Sequence, residues 1–315
     1  MYEDEIKKVL EKKYKLNLLE LSTKKNRIFY FMKIKYYYQI KSYKPFSKFD
    51  VLITNKAGVY SGVLSRRFSK KILIFHHYFN EENKYPFLRR FLQNKLLPNL
   101  KLFDAVIVVS NYWKKFLAGY MDEKKIHVIY NSFDIEKINS IRNNFDKAAF
   151  RKKYNIPTDK IIVYAGNALK VKGYKKVLDQ LDANRYFVIT SGSKDKDAEI
   201  NHLHLTLDYT GYIQMLCAVD ITVILTMFQE GWNRIAHESL LCRTRVIGCN
   251  VAGFGELLQN SKQIIYNEGD NLQQLITTSL SDDSLIENGF KYASQFSMEY
   301  LTKETEKFFA LNFTQ

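Results

Sequence analysis

Two carboxylates, Glu230 and Glu238, stand eight residues apart in the stretch ITVILTMFQEGWNRIAHESLLCRTRVIGCNVAGFGE, which runs from Ile221 to Glu256. If a helix begins between them, a rise of ~1.5 Å per residue sets their backbones roughly 12 Å apart. That is too far for two acids working on one bond, since paired glycosidase carboxylates lie about 5 to 9.5 Å apart. The spacing suits two acids gripping opposite ends of an extended ligand. A diphosphate between them would face the backbone N–H groups of Gly231, Trp232, Asn233 and Arg234 at a helix N-terminus. A nucleotide sugar has that shape.

The elements needed to position these residues are legible around them. Ile221 to Phe228 is a short β-branched and apolar run, as expected of a buried parallel strand. Asn233 is a candidate N-cap for a segment in which Ile235, Ala236, Leu240 and Leu241 recur at helical spacing. Arg245 to Cys249 reads as the next strand, and Ala252-Gly253-Phe254-Gly255 as a small-residue turn. Strand, helix, strand is a βαβ unit, and ligands of open α/β sheets sit at the carboxyl ends of the strands.

Other strands alternate with helical stretches, which predicts doubly wound parallel sheets. Phe49 to Thr54, Lys71 to Phe75, Phe103 to Ser110 and Ile126 to Tyr130 are strands of the first half, with Leu16 to Leu21 a further one. Helices are expected over Glu3 to Tyr14 and Asn111 to Tyr120. Residues 135–158, polar, basic and containing Pro157, read as a link. A strand from Ile161 to Ala165 leads into Gly166-Asn167-Ala168-Leu169-Lys170-Val171-Lys172-Gly173, and a helix follows to Leu181. Glycines and lysines in that place suit phosphate binding, by close backbone approach and point charges. Tyr186 to Thr190 is a strand ending at Ser191-Gly192; helices follow at Tyr209–Val219, Asn271–Leu280, Asp283–Gln295 and Met298–Leu311. Asp195-Lys196-Asp197 has metal-motif spacing but lies in a Lys- and Ser-rich loop, and Cys217, Cys242 and Cys249 lack ligand spacing, so no metal is expected.

In its order of strand, Glu-Gly-aromatic, helix with a second Glu at the eighth position, strand and Gly-rich turn ending in Glu, the organising stretch resembles the donor site of retaining GT-B glycosyltransferases of family four. Val128 to Asp134 (VIYNSFD) resembles the segment closing the first domain of those enzymes, and KLFDAVIVVSNYWKKFL resembles their preceding strand and Ser-containing turn. The resemblance implies two Rossmann-like domains facing a cleft: 1–145 on the acceptor side, 146–298 on the nucleotide-sugar side, and a helix over 299–315 crossing back. It implies metal-independent hexosyl transfer without a cofactor, with Glu230 holding the sugar and Glu238 the ribose. Lys172 would stabilise the leaving diphosphate, His76 or His77 would contact the sugar or acceptor, and Asn131 and Ser110 would line the interdomain cleft. Gly166 and Gly192 would approach the donor closely. The chain departs from the pattern at Asn167, where the family has Arg, leaving Lys170 to compensate, and it begins with a helix in place of the usual strand and Gly-Gly loop.

Composition bounds the partners. At 315 residues with 46% hydrophobic and 26% charged residues, the chain is long enough for two folded domains. Residues 1–150 hold 30 Lys and Arg against 14 Asp and Glu, while 151–315 hold 18 against 19, so the basic excess lies in the first half. Its densest part, 24–48, interleaves Lys and Arg with Phe and Tyr (KKNRIFYFMKIKYYYQIKSYKPFSK). An anionic membrane surface is the favoured partner, nucleic acid the disfavoured one. No apolar run reaches the ~18 residues of a membrane span and the start lacks signal-peptide character. The expectation is a cytoplasmic protein resting on the inner face of the membrane. The alternative is a noncatalytic membrane- or nucleic-acid-binding scaffold with a decayed donor pocket.

Overall fold

A computed structural model of the protein describes residues 2–13, 51–55, 70–77, 94, 96–198 and 200–313. The basic aromatic segment 24–48 and the strand expected over 16–21 lie outside the described residues. The chain divides into two compact units, Met1–Tyr130 together with Leu301–Gln315, and Asn131–Tyr300.

In the first unit, α1 (Tyr2–Glu11) buries Tyr2, Ile6, Val9 and Leu10, a stripe at helical spacing, and the Tyr2 hydroxyl donates to the Ile129 carbonyl at 2.7 Å. Strands β1 (Val51–Asn55), β2 (Lys70–Phe75), β3 (Ala105–Val108) and β4 (Ile126–Val128) form a parallel sheet in that order. Ile72–Phe75 and all of β3 are buried, so the continuous apolar runs report strands covered on both faces. Helix α2 (Asn111–Ala118) covers one face, setting Trp113 edge-on against Phe75 at 5.4 Å between ring centres.

The second unit opens with two helices where the polar composition predicts a link. In α3 (Ile135–Asn143) the Asp134 carboxylate accepts from Lys137 N at 3.0 Å, and in α4 (Lys147–Lys153) Asp146 accepts from Ala148 N at 2.8 Å and Ala149 N at 3.1 Å. Each buries little more than one side chain, Ile138 and Phe150 respectively, which is why their sequences look solvated. The sheet comprises β5 (Ile161–Tyr164), β6 (Tyr186–Ser191), β7 (Leu203–Leu205), β8 (Ile221–Ile224), β9 (Arg245–Cys249) and β10 (Ile264–Tyr266), in the order β10-β9-β8-β5-β6-β7, with every pairing parallel. From β5 the chain moves outward through β6 and β7, then returns to the other side of β5 as β8. Neighbouring β5 and β8 therefore form the switch point at which an open α/β sheet leaves a crevice.

Helices α5 (Tyr174–Leu178), α6 (Tyr209–Ala218), α7 (Arg234–Leu241), α8 (Ala252–Asn260), α9 (Leu272–Leu280) and α10 (Ser284–Ala293) complete this unit, and α11 (Met298–Phe313) follows. Three sequence readings are corrected. The apolar run from Ile221 is strand only to Ile224, the rest being loop; β7 and β10, three residues each, add strands that the pattern does not announce; and Ala252–Gly255 is the first turn of α8, its two glycines masking a helix. A Cβ on Gly248 would lie 2.2 Å from Phe254 Cζ, so the bare backbone of β9 is what lets the buried Phe254 of α8 reach the sheet. Gly248→Ala is expected to lower stability by about 1–3 kcal/mol through this overpacking. An unchanged urea midpoint would show that the contact has slack.

Candidate active site

Both loops of the switch point are fastened to each other. After β5, Gly166 adopts φ +74°, Lys170–Lys172 make a single tight turn, and Gly173 adopts φ +79°. A Cβ on Gly173 would fall 2.0 Å from the Leu225 carbonyl oxygen, a contact that only glycine permits. Met227 N and the Thr226 hydroxyl both donate to the Val171 carbonyl, at 3.2 and 3.3 Å. This fastening brings Lys172 Nζ to 2.5 Å from Glu230 Oε1 and to 4.6 Å from the centre of the Phe228 ring. Glu230 is only 7% exposed, and burial pushes its carboxyl above the ordinary carboxylate range against the pull of Lys172.

The turn after Glu230 is bolted from beneath. Asn233 caps α7 by accepting from Ala236 N at 2.9 Å. The buried Trp232 indole N–H donates to His237 Nδ1 at 3.1 Å, leaving His237 Nε2–H to donate to the Ala293 carbonyl at 3.1 Å. These two bonds specify one neutral tautomer. His237 is fully buried and stacks on Phe133, with ring centres 4.0 Å apart and an angle of 11°. Burial, with the Arg234 charge as a lesser contribution, brings its pKa down to about 3 despite the Ala293 bond. One residue on, the buried Glu238 accepts from the Tyr212 hydroxyl at 3.1 Å through Oε2, while Arg234 Nη2 approaches Oε1 at 3.7 Å.

The structure thus gathers Lys172, Glu230, Gly231, Trp232, Asn233, Arg234 and Glu238 around one strand edge and one helix start. Asn167 is engaged elsewhere. Its amide donates to the Ser191 carbonyl at 3.0 Å, fixing the turn at Gly192, which adopts φ +77° and donates through its N–H to Leu205 O at 3.0 Å. Lys170 is turned to the Asp195-Lys196-Asp197 loop, its Nζ 2.7 Å from Asp197 Oδ2 and its backbone N–H 2.7 Å from Asp195 Oδ2. Asn131 is buried at the start of the second unit, where Phe133 N donates to Phe296 O at 3.0 Å. In the first unit, His76 Nε2 lies 3.1 Å from Glu3 Oε1 and the ring lies edge-on to Tyr2, and the imidazole beside it holds the Glu3 carboxyl down at about 2. His77 is half-buried beside it, and the buried Ser110 precedes α2 without capping it through its side chain. Phe133, Tyr212 and His237 are site residues that the sequence reading does not single out. His237 carried a signal, a lone imidazole on an apolar helix face; Tyr212 and Phe133 meet the site only through the fold.

Residues 11–137 match Glycosyltransferase Family 4. YtcC of Bacillus subtilis (strain 168), a protein named as a glycosyltransferase, is 22% identical over 258 residues, which are 71% of this chain and 62% of that one, so the chain spans less than two thirds of that relative. Among solved structures, Anabaena Alr3699/HepE in complex with UDP is similar at a TM-score of 0.67 and 16% identity, covering 82% of this chain and 79% of its own. HepE has also been solved with UDP-glucose. Sucrose-phosphate synthase (tll1590) from Thermosynechococcus elongatus is similar at a TM-score of 0.73 and 16% identity, covering 95% of this chain and 82% of its own. The two parallel-sheet units have the GT-B fold.

The neutral His237 gives the second unit an acid-sensitive bolt. The unfolded chain takes up this proton below the ordinary value of 6.5, the folded chain only near 3, so the stabilisation is complete above 6.5 and is lost as pH falls towards 3. Its contribution to the acid slope is about 1.4 kcal/mol per pH unit within that window. His237→Gln can keep both hydrogen bonds while removing the titration. Between pH 7 and pH 5 its urea-unfolding free energy is expected to fall by about 2 kcal/mol less than that of the parent; equal falls would contradict the assignment.

Proposed function

We propose that the protein is a retaining, metal-independent hexosyltransferase that moves a sugar from a nucleotide diphosphate sugar to a lipid-linked or glycan acceptor. The observation that carries this reading is the Lys172–Glu230 pair, 2.5 Å apart at the sheet's switch point and immediately before the capped start of α7. HepE, solved with UDP and UDP-glucose on a similar fold, makes a UDP-sugar the first donor to test.

In this reading the diphosphate lies across the start of α7, against Lys172 and the N–H groups of Gly231 to Arg234, preorganised donors that meet the developing charge. Glu230 holds sugar hydroxyls and sets the position of the anomeric carbon, a proximity role. Glu238, steadied by Tyr212, holds the ribose hydroxyls. The bond from the anomeric carbon to the phosphate oxygen breaks as the acceptor oxygen attacks the same face, and the departing phosphate takes the acceptor proton. His76 or His77 serves the sugar or acceptor side. The basic first half docks the protein on the cytoplasmic face of an anionic membrane, where cell-surface polysaccharide or glycolipid is made.

Glu230→Gln is expected to reduce transfer at least 100-fold with nucleotide affinity changed less than about threefold, on the view that the carboxylate acts mainly in the transition state. A panel of UDP-, GDP- and ADP-sugars, read by released nucleotide, supplies the donor. Retained transfer in the variant, or no thermal shift of the parent with any nucleotide diphosphate, would remove the enzymatic reading. Neutralising Lys33, Lys35 and Lys41 together is expected to release the protein from anionic liposomes. Undiminished co-sedimentation would refute the membrane assignment.

A further inference from the structure

A diphosphate brings at least two negative charges to a place that already holds two buried carboxylates, so it needs more cationic reach than Lys172 alone supplies. Three other polar donors border the switch point, and the structure separates them. The Asn167 amide is spent on the Ser191 carbonyl at 3.0 Å. Lys170 is engaged with Asp197 at 2.7 Å, and both side chains are well exposed to solvent. Arg234 differs from both.

Arg234 is the first residue of α7, four residues past Glu230, and it lies beside Glu238 as Lys172 lies beside Glu230. Its guanidinium carbon lies over the Phe133 ring, 4.4 Å from the ring centre, and Phe133 in turn stacks on His237. Its contacts with oxygen are long, 3.4 Å from Nη1 to the Ser132 carbonyl and 3.7 Å from Nη2 to Glu238 Oε1. A guanidinium has five N–H donors in a fixed fork. Two long contacts leave that fork with capacity, and its side chain retains 27% of its exposure. Each of the two acids has a cation beside it, Lys172 at Glu230 and Arg234 at Glu238.

Resting on the nucleotide-sugar reading above, we infer that Arg234 is the second diphosphate-binding cation of this site, its guanidinium forking onto the phosphate oxygens from the Glu238 side as Lys172 meets them from the Glu230 side. The rings of Phe133 and His237 are then positioning groups for the guanidinium. Bidentate contact makes Arg and Lys unequal here.

The test compares ligands that differ only in phosphate. Affinities of the full-length parent, Arg234→Gln, Arg234→Lys and Lys170→Gln are measured calorimetrically for the nucleoside diphosphate that shifts the parent and for its parent nucleoside. Arg234→Gln is expected to weaken the diphosphate at least 10-fold and the nucleoside less than twofold, with Arg234→Lys in between. Equal weakening of both ligands would assign Arg234 a structural role only and overturn the inference. So would a diphosphate-selective loss in Lys170→Gln with none in Arg234→Gln. If the parent binds no nucleoside diphosphate, the nucleotide-sugar reading itself fails, an outcome separate from any difference between variants.

Discussion

A carboxylate taken out of water costs several kcal/mol unless a cation and further hydrogen bonds reach it. Glu230 is in that position, 7% exposed, and the cation that reaches it comes from a different loop, 58 residues earlier in the chain. Around this single requirement the second unit makes sense. Strands β5 and β8 must be neighbours for Lys172 to arrive, which the out-and-back strand order provides. The loop after β5 must then press directly onto the loop after β8, which Gly173 permits where any side chain would strike the Leu225 carbonyl. A raised carboxyl pKa is the residue of the desolvation that Lys172 offsets only in part.

The second acid is handled by other means. Glu238 lies one turn inside α7, accepts from the Tyr212 hydroxyl and has Arg234 one helical turn before it. The turn that joins the two acids is held from below by aromatic groups: Trp232, His237, Phe133 and Phe296 pack around one another. These contacts keep the start of α7 from drifting relative to the sheet.

Much of this was legible in the amino-acid sequence, and the reasons for success and failure are physical. Buried parallel strands such as Ala105–Val108 and Ile221–Ile224 betray themselves because both faces are apolar. Asn233 as a cap and the paired acids on either side of it follow from local chemistry alone. Strands β7 and β10 were invisible because three residues carry too little pattern, and α8 was hidden by its own glycines, of which Gly255 lies where a Cβ would fall 2.2 Å from Asn250 Oδ1. Helices α3 and α4 look like a linker because only one side chain of each is buried. The commitments of Asn167 to Ser191 and of Lys170 to Asp197 join residues more than twenty positions apart, and no spacing rule reaches that far.

The contact between Gly173 and Leu225 has a mechanical corollary. Because the Val171 carbonyl also receives Met227 N and the Thr226 hydroxyl, the segments leaving β5 and β8 are riveted at neighbouring points. Neither can be lengthened, shortened or tilted without dragging the other. Variation in this part of the molecule is thereby confined to side chains projecting from a frame of constant outline, and inserted residues are tolerated better at the outer margin of the sheet, beyond β7, than at its centre.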